Sequence, residues 1–301
     1  TTSNLAPAVT DIQNQTILEG GSFTTISLDD YVSDAATEDA LMNWVATGQS
    51  NLTVSISSNR VATITASTNW NGSEVVTFTA TDNDRTHPMR GSDAATFTAT
   101  AVNDAPVFSS TAITSATEDV LYSYTVTASD VDGDALTFAA TTLPTWLSFN
   151  ASTQVLSGTP LNAHVGSNTV LLAVNDGTVA VEHSFTITVV NTNDLPVFTS
   201  SAAAAIEDAA YSYTVTASDD DGNTLTFAAT TLPTWLSFDG TATISGTPLN
   251  EHVGTHNVVL TVSDGFGTIE QSFTLTVTNT NDPPVLDTPQ TAAKSTVEYI
   301  H

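Results

Sequence analysis

The sequence predicts an all-β chain, built as tandem Greek-key β-sandwiches joined end to end, and three observations carry that reading. The chain repeats itself: NDAPVF at 103–108, NDLPVF at 193–198 and NDPPV at 281–285 mark successive starts. Between the marks, apolar and polar residues alternate with period two. In YSYTVTAS the side chains of Tyr122, Tyr124, Val126 and Ala128 alternate with Ser and Thr, as in a strand with one face buried. Turn-forming clusters (DGD, LP, SGTP, NDG) punctuate these runs. About seven short strands in ~90 residues, with turns every 8–12 residues, fit a sandwich better than a barrel or propeller.

The copies match block by block. TED at 117–119 answers IED at 206–208, and YSYTVTASD at 122–130 recurs at 211–219. LPTWLSF at 143–149 recurs at 232–238, SGTPLN at 157–162 recurs at 245–250, and VNDG at 174–177 becomes VSDG at 262–265. The expected organisation is a divergent sandwich over 1–102, near-identical sandwiches over 103–192 and 193–281, and a linker or the start of a further domain over 282–301. The first unit also runs from a short opening segment, NLAP at 4–7, to a closing TATAVNDAP. SFTITVV at 184–190 and SFTLTV at 272–277 supply a late alternating strand. The proline of each NDxP cannot continue a ladder, which suits a stiff crossing between sandwiches.

Charge narrows the function. The 301 residues carry 32 Asp and Glu against 4 Lys and Arg, a net charge of −28, with no lysine or arginine between Arg90 and Lys294. Salt bridges therefore cannot neutralise the carboxylates, and self-repulsion opposes the compact state unless dissolved cations intervene. Nucleic acid is a poor partner, because phosphate binding needs a basic patch. An anionic membrane surface is disfavoured on the same ground. The chain has no cysteine, which removes disulfides and thiolate metal sites. No apolar run approaches the ~18 residues of a membrane helix.

The acidic residues cluster in turns. Asp130-Val131-Asp132-Gly133-Asp134 offers carboxylates at i, i+2 and i+4, and Asp219-Asp220-Asp221-Gly222-Asn223 stands at the same place in the next unit. Calcium takes six to eight oxygens from such groups, although Asp and Asn also make turns without any ion. Trp146 and Trp235 recur in identical LPTWLSF settings and are expected to fill the cores. Trp44 and Trp70 are less constrained, and Trp70 beside Asn69, Asn71 and Gly72 is a candidate for exposure. His164 and His252 lack partners at zinc-ligand spacing, and a strand context would separate His256 from His252. GxSxG, HExxH and phosphate-loop motifs are missing, so catalysis is not expected.

Units two and three resemble the cadherin-like domains of the dystroglycan-type and Putative Ig class found in bacterial surface proteins. The residues that carry this are the ED before the YSYT strand, the DxDG after it, LPTWLSF, SGTP, the NDG turn and the closing NTNDxP, covering 103–284. Unit one resembles a related repeat more loosely, through Leu18-Glu19-Gly20 and the TATDND segment at 79–84. The resemblance implies calcium at each joint, with a ligand set taken from the cadherin pattern. For the joint of units one and two these are Glu19, Asn103, Asp104, Asp130, Asp132 and Asp176. For units two and three they are Glu118, Asn191, Asn193, Asp194, Asp219, Asp221 and Asp264. Glu207 with Asn279, Asn281 and Asp282 forms a further half-set. SGTP replaces the cadherins' Asp-Arg-Glu turn, and Ala101 stands where the second linker has Asn191. Fewer ions per joint than in cadherins are therefore expected, and a weaker first joint.

The resemblance further implies a calcium-rigidified extender of a large RTX-type adhesin, monomeric and extracellular on a Gram-negative cell. Its partners would be calcium and the neighbouring repeats of its own chain, and it would not insert into a membrane. Three modules of ~30 Å plus loops would make a rod on the order of 100–130 Å. The alternative is a module of a secreted adhesin or polysaccharide-degrading protein that binds carbohydrate or peptide through unit one. Its loop Asp82–Arg90 (DNDRTHPMR) has no counterpart in the later units.

Overall fold

A computed structural model describes residues 4–35 and 37–284. The expected linker or further domain at 282–301 therefore falls, from residue 285 onward, outside the described residues. The chain is all-β: apart from short 3-10 turns its elements are strands, and no described helix is long and apolar enough to cross a membrane. The backbone groups into two compact units. Among the described residues, one holds those from 4 to 113 with 123–157 and 169–186; the other holds 114–122, 158–168 and 187–284.

In the first unit, residues up to 100 form a complete sandwich. Its four-stranded sheet runs Gln15–Leu18, Arg90–Thr100, Gly72–Thr81, Asn43–Thr47; its three-stranded sheet runs Ile26–Ser27, Val61–Ala66, Leu52–Ile56. Alternation selects the inward set: Val76, Phe78 and Ala80 from one strand and Ala95 and Phe97 from its neighbour meet Leu52, Ala62 and Ile64 from the facing sheet. Phe97 stands edge-on to both Phe23 and Phe78. Trp44 is buried here, and Trp70 is half-buried against the same core rather than exposed. Arg60 makes a two-pronged ion pair with Asp29, at 2.7 and 2.8 Å.

In the second unit, the third repeat builds the same arrangement. Its four-stranded sheet runs Ala205–Ile206, Thr268–Thr278, Gly254–Ser263, Thr226–Thr231, and its three-stranded sheet runs Tyr211–Thr214, Thr243–Gly246, Leu236–Phe238. Tyr211, Tyr213, Val215, Leu236, Ile244, Val258, Leu260, Leu275 and Val277 fill its core, with Trp235 packed beside them. Gly246 allows the close approach of its backbone to Trp235, whose carbonyl a side chain at that position would strike. Matching pairings recur in the middle repeat. Ser115–Thr117 runs parallel to 188–190, Thr137–Thr142 runs antiparallel to Gly166–Asn175, and Ser148–Asn150 pairs with Val155–Gly158.

One topological detail, not legible as alternation, sets where the acidic groups lie. The short strand that opens each four-stranded sheet pairs parallel to the last strand of its own sandwich. Parallel strands finish at the same end of a sheet. The glutamate after each short strand thus lies beside the point where the last strand becomes the next linker: Glu19 N–H bonds Thr100 O, Glu118 N–H bonds Val190 O, and Glu207 N–H bonds Thr278 O, at 2.9, 2.9 and 3.0 Å.

Candidate metal centre

Each of these glutamates grips the linker beyond its own sandwich. The Glu19 Oε2 accepts Val102 N–H at 3.2 Å, Glu118 Oε2 accepts Thr192 N–H at 3.0 Å, and Glu207 Oε2 accepts Thr280 N–H at 2.9 Å. The other oxygen of each, Oε1, is buried without a hydrogen-bond partner. Glu118 and Glu207 are only 1% and 2% exposed, so these are carboxylate oxygens withdrawn from water and left uncompensated. Such an atom costs on the order of 1–3 kcal/mol unless something pairs with it.

The acidic turns approach from the other side of each linker. A two-residue pairing, Val107–Phe108 with Ala128–Ser129 and its copy Val197–Phe198 with Ala217–Ser218, sets the DxDG turn beside the linker. Asp132 Oδ2 then accepts Asp104 N–H, and Asp221 Oδ2 accepts Asp194 N–H, each at 2.7 Å. Side-chain oxygens of Glu118, Asp194 and Asp221 come within 4.8 Å of one another, and so do those of Glu19, Asp104 and Asp132. Glu207, Asp208 and Asp282 make a similar group, as do Asp130, Asp132 and Asp134 within one turn. Asp130 Oδ2 and Asp219 Oδ2 are further buried oxygens without a partner, while the Oδ1 of each accepts backbone N–H groups of its own turn.

The asparagines and the later aspartates take a different part. Asn103 Nδ2 donates to Asp176 Oδ2 and Asn193 Nδ2 to Asp264 Oδ2, both at 2.9 Å, and Asn281 Nδ2 donates to Asp282 O at 3.4 Å. Asn279 Nδ2 donates to Thr280 O. The Oδ1 atoms of Asp176 and Asp264 cap their hairpins through the N–H groups of Thr178 and Val179, and of Phe266 and Gly267. The backbone bonds from Val179 and Gly267, then the Asn103 and Asn193 amides, hold both carboxyls below the usual aspartate range. Asp82 in the first repeat is the same device: it is 5% exposed and accepts Asn4 Nδ2 at 2.8 Å. The loop after it is bound up internally, with Asp84 Oδ1 capping Thr86 and His87.

Sequence reasoning missed three participants. Asn162, the last residue of SGTPLN, donates from Nδ2 to Asp221 Oδ1 at 3.0 Å, beside Asn191, which donates to the same oxygen at 2.9 Å. Its signal was the recurrence of that asparagine as Asn250. Asp119 and Asp208 hold left-handed backbone conformations, φ of 58° and 59°; Asp208 joins Glu207 and Asp282 in one group, and Asp119 lines the same cleft as Glu118 and Asp194. Such a φ is tolerated by Asp more readily than by most residues. His256 Nε2 lies 2.6 Å from the backbone oxygen of His252, because the 3-10 turn Asn250–His252 curls back toward the strand Gly254–Ser263; the contact joins a ring to a carbonyl and does not pair the two imidazoles.

The electrostatic consequence is plainest at Asp194. Desolvation, then the negative charges of Glu118, Asp119, Asp221 and Asp220, pushes its carboxyl above the usual aspartate range. The donor set fits a hard cation that takes oxygen ligands: carboxylates with an orphaned oxygen, neighbouring amides, and neither thiolate nor clustered imidazole. Glu118, Asp194, Asp219 and Asp221 would hold such an ion at the second linker, and Glu19, Asp104, Asp130 and Asp132 at the first. Glu19 is only half-buried and Asn71 also approaches its Oε2, at 3.4 Å.

Comparison with known proteins places these repeats. The model of the Bacterial Ig domain family matches residues 4–100. "Serine-rich adhesin for platelets" of Staphylococcus aureus is 33% identical over 148 residues, 47% of this chain and 10% of that protein in strain MRSA252, 6% in strain MW2. The chain thus spans at most a tenth of the curated relatives it matches. Among solved structures, human protocadherin-24 EC1-2 aligns at 16% identity and a TM-score of 0.39, covering 60% of this chain and 100% of that one. An endo-fucoidan hydrolase from glycoside hydrolase family 107 aligns at 22% identity and a TM-score of 0.32, covering 93% of this chain and 45% of that one. Likenesses this distant carry nothing about activity. The Putative Ig domain model matches residues 105–190 and 195–278, more than half of the sequence, and the chain belongs to that family.

Proposed function

We propose that the chain is a calcium-stiffened extender segment of a large bacterial surface adhesin, of RTX type on a Gram-negative cell. The observation that carries the reading is Glu118: a 1% exposed carboxylate with one oxygen unpartnered, grouped with Asp194 and Asp221 in a stretch of sequence that contains no lysine or arginine. A divalent cation there would tie the body of one repeat, the linker and the acidic turn of the next into one bonded set. Without it the like charges would push these elements apart, and the linker would bend more freely. At roughly millimolar extracellular calcium, sites with the affinity of extracellular modules, about 10⁻⁴–10⁻³ M, would be about half to nine-tenths filled. The similarity to an adhesin's repeats supports placement on a cell surface.

Thermal unfolding in millimolar calcium, in equal magnesium and after chelation tests this directly. A calcium-specific rise is expected, together with a bound-ion stoichiometry that falls when Asp219 and Asp221 are both replaced by Ala. Coincident melts in all three conditions would sink the calcium reading and leave the acidic segments as turns.

A further inference from the structure

The second linker carries a feature that cation binding does not use. Phe266 is 78% exposed, the most exposed of the large hydrophobic side chains identified among the described residues, and it lines a cleft of about 520 Å³. Asn162, Asn191, Asn193, Asn223 and Asp221 line the same cleft. The volume falls in the range of small-molecule sites, roughly 300–1,000 Å³. The near-identical preceding repeat is an internal control. Where the second linker region has Asn191, Asn223 and Phe266, the first has Ala101, Asp134 and Thr178. Two repeats that otherwise match block by block thus differ here by the amide of Asn223 and the ring of Phe266, while the Ala101 that answers Asn191 closes the divergent first unit.

We propose that this cleft binds a neutral saccharide, with Phe266 stacked on the C–H face of a pyranose ring and the amides of Asn162, Asn191 and Asn223 meeting its hydroxyls. The electron-rich face of a phenyl ring favours the weakly positive C–H edges of a sugar. Carboxamides both donate and accept, as hydroxyls do. Anionic glycans are repelled by a chain of net charge −28. A lysine-rich peptide fits less well. Asp221 already accepts Asn162 and Asn191 on Oδ1 and the Asp194 N–H on Oδ2, so both oxygens are engaged from within and present fewer lone pairs to an incoming ammonium. The Nδ2 atoms of Asn162 and Asn191 point to Asp221, which leaves their Oδ1 atoms to accept sugar O–H groups. This goes beyond the extender reading and does not require it.

The test is saturation-transfer NMR on the full chain with neutral oligosaccharides of glucose, mannose, galactose and N-acetylglucosamine, each at millimolar concentration, with calcium and after chelation. At least one series is expected to show transfer to its ring C–H protons. Phe266→Thr, which installs the residue of the preceding repeat at an exposed position, should weaken that affinity at least tenfold with an unchanged melt. Phe266→Trp should retain binding. No transfer to any series under either condition would overturn the proposal, as would binding indifferent to Phe266→Thr, or stronger binding of an oligolysine probe. Calcium-indifferent melts alongside saccharide binding would remove the extender reading alone.

Discussion

Replacing Glu118 by Gln should reverse the sign of a stability change according to whether calcium is present. Two carboxylate neighbours, Asp194 and Asp221, have oxygens within 4.8 Å of the Glu118 oxygens. At that distance each like-charge pair costs about 1 kcal/mol at the dielectric of water and about 3.5 kcal/mol at an effective value near 20. Because the partners are half-exposed, the lower end applies, and the neutral amide should stabilise the chelated protein by roughly 1–2 kcal/mol. The amide oxygen still accepts Thr192 N–H, so the grip on the linker survives the change. For a cooperative unit of this size the gain is a rise of about 3–10 °C in the midpoint. In calcium the order inverts. One ion at about 10 mM over a dissociation constant near 10⁻⁴–10⁻³ M contributes about 1.4–2.7 kcal/mol to the wild type, and the variant forfeits most of it. The assay is paired thermal melts with chelator and across a calcium titration, with the two curves crossing. Glu118→Gln less stable than wild type in chelator would refute the account of an uncompensated buried charge.

Asp194 offers a test by pH. Its carboxyl is pushed above the usual aspartate range, so the folded form holds that proton more tightly than the unfolded chain does. The resulting destabilisation is absent where both forms are protonated and complete above the raised folded value. Chelated protein should therefore gain stability as pH falls toward the ordinary aspartate range, and calcium should abolish that gain in melts across pH. Glu74 acts oppositely. Desolvation alone would raise it, but bonds from Ser50 and Asn51 bring it down from 4.5 to about 2, so the first repeat should lose stability as pH falls through that interval, and Glu74→Gln should remove the loss. At the second linker, a methyl group on Gly267 would overlap Leu195 Cδ2. Leu195 is 49% exposed and its tip can turn aside, so Gly267→Ala should lower the midpoint by the equivalent of at most about 1 kcal/mol, and Leu195→Ala should remove even that; a larger loss that Leu195→Ala does not relieve would discount the contact.

Strands and turns were legible because their causes are local. Period-two alternation places Tyr211 and Tyr213 inward and Ser212 outward, and the strand obeys it. Turn residues are equally local: Asp264 caps the hairpin between the strands that end at Ser263 and begin at Thr268. What stayed hidden depends on pairing between distant segments. Neither the parallel pairing of Ala205–Ile206 with Thr268–Thr278 nor the bond from Asn162 to Asp221, 59 residues away, leaves a periodic trace. Trp70 was misjudged for a related reason. Polar neighbours suggested exposure, whereas Gly72 at φ 140° leaves room for the indole, which lies against the core. Of the candidate ligands, Glu19 with Asp104 and Asp132, Glu118 with Asp194 and Asp221, and Glu207 with Asp282 come together, while Asp176 and Asp264 stand apart and take the amides of Asn103 and Asn193.

The recurrence of one arrangement three times argues for its purpose better than any single site. Glu19, Glu118 and Glu207 each engage Oε2 with a linker N–H and leave Oε1 buried without a partner. A hydrogen bond to the linker alone could be made by glutamine or asparagine at no electrostatic cost. Retaining a carboxylate, with aspartates drawn in beside it and no lysine or arginine between Arg90 and Lys294, makes physical sense when a mobile cation completes the set. The arrangement also explains why the acidic residues sit in turns. Turns leave Oδ1 engaged with local backbone, as at Asp130 and Asp219, and so hold the second oxygen in a fixed direction without needing a basic partner. Rigidity at the linker would thus be supplied from solution, and would switch off wherever calcium is scarce.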